Sequence, residues 1–344
     1  MRTERRQMKN KKSRKFLILS SILVVLLGIG LYIGYVFFSA NHFFNQIQGD
    51  DLPNKGTNET DQVVIENKEP FSILLLGVDE RPGDKGRADT ILVATINPNT
   101  NDVKLLSIPR DTLIELPKSG ELDKINATYA YDGIPYVVET VEDYLDIPIN
   151  YYAKINFQGM VDLVNAIGGI TIDSPLDFTV QDSNEHSNAI QVKKGVQHMD
   201  GEKALGYARM RKQDPRGDWG RQERQRQVIE AIIDEIISIS SLTNFNRIFN
   251  AIAPNLTTNL SGREIWILGT NYASAANKIT SLVLEGEEDR IYFPSYGQEV
   301  YVWKPNEDKK AAVSAELRRH LELEPNAIDS SETDSMETSS ATSE

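Results

Sequence analysis

The chain has 344 residues, with 37 Lys or Arg, 50 Asp or Glu, no Cys and a formal net charge of −13. That length holds one large domain or two ordinary ones, and 40% apolar residues suffice to fill a core. The absence of Cys excludes a disulfide scaffold, a Cys-ligated metal centre and a thiol nucleophile, and 4 His leave little for a His-rich metal site. An acidic chain binds a polyanion only where its positive charge is concentrated.

Residues 1–15 carry 8 basic residues against Glu4, a local charge of +7, and residues 16–49 carry no Lys, Arg, Asp or Glu. The stretch 16–38 is almost wholly apolar. Its 23 residues, at about 1.5 Å each, are long enough to cross a hydrocarbon layer of about 30 Å. Tyr32, Tyr35, Phe37 and Phe38 fall where an interfacial aromatic belt belongs. The basic flank precedes the span, which predicts a cytoplasmic N-terminus and an extracytoplasmic remainder. A cleaved signal peptide would have a shorter apolar region and small residues before the cut, whereas Phe37-Phe38-Ser39-Ala40 offers a bulky one. The expectation is a single uncleaved anchor. A cysteine-free domain outside the membrane fits a Gram-positive cell.

Residues 39–70 read as a polar stalk. Residues 71–321 form the predicted folded body, with no internal repeat. Residues 322–344 read as a disordered acidic tail: from 330 to 344, 9 residues are Ser or Thr and 4 are acidic, a composition unable to bury a core.

Within the body, the apolar run 71–79 predicts a strand buried on both faces. Segments 90–96 and 103–108 predict a hairpin around Asn-Pro-Asn-Thr-Asn-Asp. A helix is predicted over 134–145, with Pro135 at its start and Val137, Val138, Val141, Tyr144 and Leu145 on one face. A strand over 151–155 follows, then a helix over 157–167 stopped by Gly168-Gly169, then a strand over 170–172. Asp200 is placed to cap a short helix over 201–208. The longest helix, over 221–239, turns Val228, Ile232, Ile233, Ile236 and Ile237 inward. Helices over 261–273 and 306–321 bracket strands near 281–284, 290–293 and 299–303. Helices alternating with strands, with hairpins among them, predict an α/β/α sandwich on a mixed central β-sheet.

The positive charge of the body is uneven. Residues 209–226 hold 7 basic residues and 3 acids. Arg221, Arg224 and Gln225 are spaced to share a helical face. Guanidinium groups suit phosphate and carboxylate. A charge run is ordinarily a solvated face. Here Gly217 and Gly220 sit among the arginines, and a helix N-terminus near Arg221 would offer amides to an anion. A second constellation follows the first strand. Asp79 ends it, a loop with Arg81, Lys85 and Arg87 follows, and Asp89 opens the next strand. Each Asp alone is ordinarily a turn cap. Together, two carboxylates at strand ends suit a hard cation completed by phosphate oxygens. Arg110, after the third strand, either reaches this site or pairs with Asp111. Lys124 is an isolated cation.

These residues stand in segments of high specificity: LLLGVDERPGDKGRADTI, SIPRDT, DKIN, NAIGGI and, above all, ALGYARMRKQDPRGDWGRQERQRQVI. Over about residues 70–305, and in its N-terminal anchor, the chain resembles the LytR-CpsA-Psr family of cell-wall glycopolymer transferases. The resemblance implies an α/β/α sandwich with an apolar pocket for a lipid tail. It implies transfer of an anionic glycopolymer, wall teichoic acid in the first instance, from a polyprenyl-pyrophosphate carrier to peptidoglycan, with no nucleic-acid partner. It implies Mg²⁺ near Asp79 and Asp89. Around the pyrophosphate it implies Arg87, Arg110, Lys124, Arg209, Arg211, Arg221 and Gln225, with Asp218 supporting the arginines. Arg110, Asp89 and Arg87 become the expected catalytic residues. Two rivals use the same residues: a membrane-anchored lipid-phosphate or wall-polymer binding protein or regulator, and a polyprenyl-pyrophosphate hydrolase.

Overall fold

The structure, a computed structural model, describes residues 46–49, 51–52, 65–80, 86–182, 186–238, 248, 250–294 and 297–323. The expected span at 16–38 and the tail beyond 323 lie outside the described residues. Among the described residues no helix is long and apolar enough to cross a membrane.

The centre is a six-stranded mixed sheet of β1 (Phe71–Val78), β2 (Ala88–Asn97), β3 (Asp102–Ile108), β6 (Tyr151–Asn156), β11 (Leu256–Thr258) and β12 (Ile279–Val283), in the order β11-β6-β1-β2-β3-β12. β1 pairs parallel with β6 and antiparallel with β2, and β3 pairs antiparallel with β2 and parallel with β12. The β2–β3 hairpin closes where its turn chemistry predicts, with the Asn97 carboxamide oxygen accepting from the backbone N–H of Asn99 at 2.8 Å and of Thr100 at 3.2 Å.

Side chains alternate across the sheet. Leu74, Leu76 and Val78 face a core shared with α1 (Ala127–Leu145) and α6 (Glu307–His320). Leu92, Ala94 and Leu105 face the opposite way, with Ile73 and Leu75, toward Ile229 of α4 (Asp218–Ser238). Both faces of β1 are therefore covered, as its unbroken apolar run requires. Packed with α4 are α2 (Phe157–Ile167) and α3 (Gly201–Arg209). α5 (Gly262–Asn271) closes the same side near Phe71 and Tyr151. Smaller pairs decorate this frame: β4 (Leu113–Glu115) with β5 (Leu122–Lys124), β7 (Ile170–Ser174) with β10 (Gly195–Met199), β8 (Phe178–Val180) with β9 (Ile190–Val192), and β13 (Gly286–Phe293) with β14 (Gln298–Pro305).

Local signals account for most boundaries. Asp200 accepts from Lys203 N–H at 2.9 Å, and Ser261 and Glu264 form a reciprocal capping box. Gly168 and Gly169, with φ of 100° and 93°, end α2. The longest helix starts at Asp218 and not at 221, the short strands β4, β5, β8, β9 and β10 lie outside the expected elements, and two further features differ from expectation. α1 begins seven residues earlier than the predicted 134, at Ala127, because it is two helical pieces joined at Asp132 and Gly133 (φ 65°). Pro135 thus starts the second piece without breaking a helix interior. The stretch expected to be a stalk is partly packed: Ile47 is 1% exposed in the α2–α4 core, and Gln48 and Gly49 pair with Thr258 at the edge of β11.

Candidate active site

The site forms at the C-terminal ends of β1 and β3. Asp79 follows β1, and its N–H donates to Arg87 O at 3.4 Å, closing the loop whose residues 81–85, including Arg81 and Lys85, lie outside the described residues. Gly77 faces Thr90 and Val78 faces Ala88, so Asp89 has no partner position on β1. This irregularity re-aims the side chain at a strand end. The Asp89 carboxylate meets the Arg110 guanidinium at 2.6 Å. Arg110 Nε also lies 3.6 Å from Asp111, and Asp111 holds Lys124 Nζ at 2.7 Å. The two alternatives posed for Arg110 are both realised, in one alternating chain of charge: Asp89, Arg110, Asp111, Lys124.

The opposite wall is the turn between α3 and α4. Arg209 ends α3, and its guanidinium carbon lies 4.3 Å from the centroid of the Phe157 ring. Arg211 begins the turn. Arg221 and Gln225 come from the first two turns of α4. A cleft of about 450 Å³ brings together Asp89, Arg110, Arg209, Arg211, Arg221 and Gln225, with Thr179 to Gln181 along one side. Asp79, Arg87 and Lys124 do not line it. Arg87 is exposed, Asp79 half-buried, and Lys124 is joined to the site through Asp111. Asp218 opens α4, but its side chain lies outside the described residues.

Arg224 corrects the sequence reading. It does not share the cleft-facing surface with Arg221 and Gln225. It is 1% exposed, and its Nε donates to Tyr207 O at 3.1 Å. Its terminal nitrogens bond Met210 O and the buried Asp214 carboxylate. Asp214 also accepts from Arg216 N–H at 2.8 Å. Burial by itself would raise the Asp214 carboxyl, but the Arg216 N–H and the Arg224 guanidinium outweigh it and hold it below the ordinary carboxylate value. Arg224 thereby fastens the loop that presents Arg209 and Arg211 to the helix that presents Arg221. The glycines also act differently from the expectation. A Cβ at Gly220 would stand 1.7 Å from Asp214 Oδ2, so this glycine makes room for the buried carboxylate, and Gly217 (φ 55°) turns the chain. Burial pulls the Arg226 guanidinium down, and it donates to Ser107 Oγ of β3 at 3.2 Å.

Sequence reasoning gave no role to Asp214, Phe157 or Tyr301. Asp214 lay within the arginine run but was counted only as an acid among bases. Among the described residues no group of three or more Asp, Glu or His is placed to hold a metal ion.

A mixed α/β domain with a half-buried cationic cleft at its strand ends is a receptor for a phosphorylated or carboxylated ligand. Residues 35–319 match the LytR_cpsA_psr family, and the chain belongs to it. It is 39% identical over 321 residues to a Bacillus licheniformis protein named polyisoprenyl-teichoic acid–peptidoglycan teichoic acid transferase TagU, covering 93% of this chain and 99% of that one. Among solved structures it resembles Bacillus subtilis TagV, with 38% identity, a TM-score of 0.66, and coverage of 75% of this chain and 99% of that one. It also resembles TagT bound to LIIa-WTA, with 32% identity, a TM-score of 0.68, and coverage of 80% and 100%.

Proposed function

We infer that this chain is a cell-wall glycopolymer transferase. It moves wall teichoic acid from a polyprenyl-pyrophosphate carrier to a hydroxyl of peptidoglycan muramic acid. The observation that carries the reading is the convergence of Arg110, Arg209, Arg211 and Arg221 on one cleft in a chain of net charge −13. The family membership and the relatives' transferase names support it.

The chemistry follows from the charge. The acceptor oxygen attacks the phosphorus that carries the polymer, and the bond from that phosphorus to the bridging oxygen breaks. Polyprenyl phosphate leaves, the acceptor proton passes to a base, and a phosphodiester remains. Negative charge grows on the leaving phosphate, and fixed guanidinium groups stabilise it without reorganising. Arg110 is held by Asp89 and Asp111, Arg209 rests on Phe157, and the Arg224–Asp214 pair keeps the loop in place. Asp89, in the cleft, and Asp79, at the end of β1, would be the protein's oxygen donors to a Mg²⁺ that took the rest of its shell from substrate phosphates. When bound there, the ion supplies further neutralisation of phosphate charge.

The same reading places the protein at the membrane of a Gram-positive type cell, single-pass, with residues 1–15 inside and the folded body outside. The +7 flank before an uncharged apolar stretch supports this. Protease added to intact protoplasts should cut the folded body or the segment before it. Full protection of a protein that is cut after lysis would reverse the topology.

The test of function is incubation with lipid-linked teichoic acid precursor and peptidoglycan oligomer. A covalent conjugate with equimolar polyprenyl phosphate is expected. Release of polymer phosphate at the same rate without acceptor would make the protein a hydrolase. Binding without turnover would make it a binding protein.

A further inference from the structure

The β13–β14 hairpin is not part of the six-stranded sheet, yet it is fastened to the cleft at several points. Trp303 N–H donates to Asp111 O at 2.9 Å, and Trp303 bridges to Thr112. The Trp303 ring meets Trp219, in the first turn of α4, edge-on at 6.1 Å. A Cβ on Gly286 would come within 2.4 Å of the Trp303 ring, so the strand opposite is closed tightly over it. Trp303 is thus fixed by the loop after β3 and by the start of α4. Tyr301 lies two residues earlier on the same strand and projects to the same side.

The Tyr301 ring has two cations within cation–π range. Lys124 Nζ is 5.7 Å and the Arg211 guanidinium carbon 5.5 Å from its centroid. These cations come from β5 and from the turn after α3, elements in separate parts of the fold. Like charges in one site repel, and an aromatic face attracts a cation at this range. Lys124 is also held by Asp111 at 2.7 Å, and Arg211 lines the cleft. The ring therefore links the Arg110–Asp111–Lys124 chain to the turn that carries Arg209 and Arg211.

We propose that Tyr301 is a positioning residue of the cleft: by tying Arg211 to the Lys124–Asp111–Arg110 chain, its ring fixes the spacing of Arg110 and Arg211, and so the preference for a ligand with two adjacent phosphates over one. The inference rests on reading the cleft as a pyrophosphate site. Tyr301 does not touch the reacting atoms in this account. Its hydroxyl is not required, because the attraction comes from the ring face.

The test uses the full chain in detergent micelles and calorimetric binding of geranylgeranyl pyrophosphate and geranylgeranyl monophosphate. Tyr301→Leu should weaken pyrophosphate binding by about 5-fold and narrow the preference over the monophosphate. Tyr301→Phe and Tyr301→Trp should keep both. Unchanged binding in Tyr301→Leu, or an equal weakening for both ligands, overturns the proposal. Should Tyr301→Leu fail to fold, loss of the preference in Tyr301→Phe or Tyr301→Trp overturns it instead, and retention in both supports it. An Arg211→Ala arm separates the two levels. If Arg211→Ala binds as tightly as wild type, the pyrophosphate reading fails and this proposal with it. If Arg211→Ala is weak while Tyr301→Leu is normal, only the proposal fails.

Discussion

The arginine-rich segment contains two kinds of arginine, and they differ in whether they face the cleft or the interior. Arg224 finds all of its partners within the chain: Tyr207 O, Met210 O and a carboxylate with 0% side-chain exposure. Arg209, Arg211 and Arg221 stand a few residues away and line an open cleft. The first kind costs heavily to lose because a buried charge is left behind. The second kind is held together against mutual repulsion and faces the space that a ligand would fill. A count of basic residues cannot separate them, and neither does burial alone, since Arg221 is 7% exposed; what separates them is that Arg221 lines the cleft and Arg224 does not.

The largest effect expected from breaking this contrast is on stability. Arg224→Met should destabilise by about 3–5 kcal/mol, because it strands the Asp214 carboxylate in the interior. Urea unfolding measures this, and a midpoint equal to wild type would mean that the pair is not a fixed part of the frame. Next come the cleft residues. Arg209→Ala and Arg211→Ala should each lower transfer by about 10²–10³-fold. Their unfolding free energies should stay within about 1 kcal/mol of wild type. Arg211→Lys keeps the charge and loses the planar fork, so it should also be slower than wild type. Equal loss of stability in both sets of arginines would erase the distinction.

Asp89→Ala sharpens the comparison from the other wall. It removes a half-buried partner of Arg110 and one of the two candidate Mg²⁺ ligands. Transfer should fall strongly with stability preserved within about 1 kcal/mol. A variant that unfolds, or that retains full activity, would return Asp89 to a structural role.

The smallest effect is the pH dependence. The Asp214 carboxyl is depressed in the folded state, so its contribution is complete above the unfolded value of about 3.9 and fades as pH falls through the folded value. Asp102 is also depressed: burial raises it, but Thr100, His320 and Lys278 outweigh that. The urea midpoint should therefore fall below about pH 4, and Asp214→Asn should flatten that fall in part. An unaltered acid limb in Asp214→Asn would show that Asp214 is not one of the groups responsible.

Much of the frame was legible because its signals are local. The unbroken apolar run of β1, the Asn-rich β2–β3 turn, the Gly168-Gly169 stop and the Asp200 cap each state a conformation within a few residues. Short partners were not legible. β11 is three residues long and has meaning only beside β6. In the site, the residue types and their motifs pointed to Asp89, Arg110 and the arginines of the α3–α4 turn. Arg224 was misplaced because helical spacing brings it within about 60° of Arg221, too little to reveal which of the two faces the cleft. Tyr301 was missed because its cation neighbours are far away in sequence and no periodicity links them.

The docking of Ile47, Gln48 and Gly49 bears on how the protein tolerates shortening from its N-terminus. β11 ends the sheet, and an uncovered sheet edge invites pairing with another molecule. Gly49 donates to Thr258 O at 2.8 Å, and its missing side chain leaves room for the Tyr152 hydroxyl, so the segment lies close against that border. A truncation beginning at residue 41 keeps this cover and the apolar plug of Ile47. One beginning at residue 53 exposes both, and the shorter protein should self-associate at concentrations where the longer one stays monomeric.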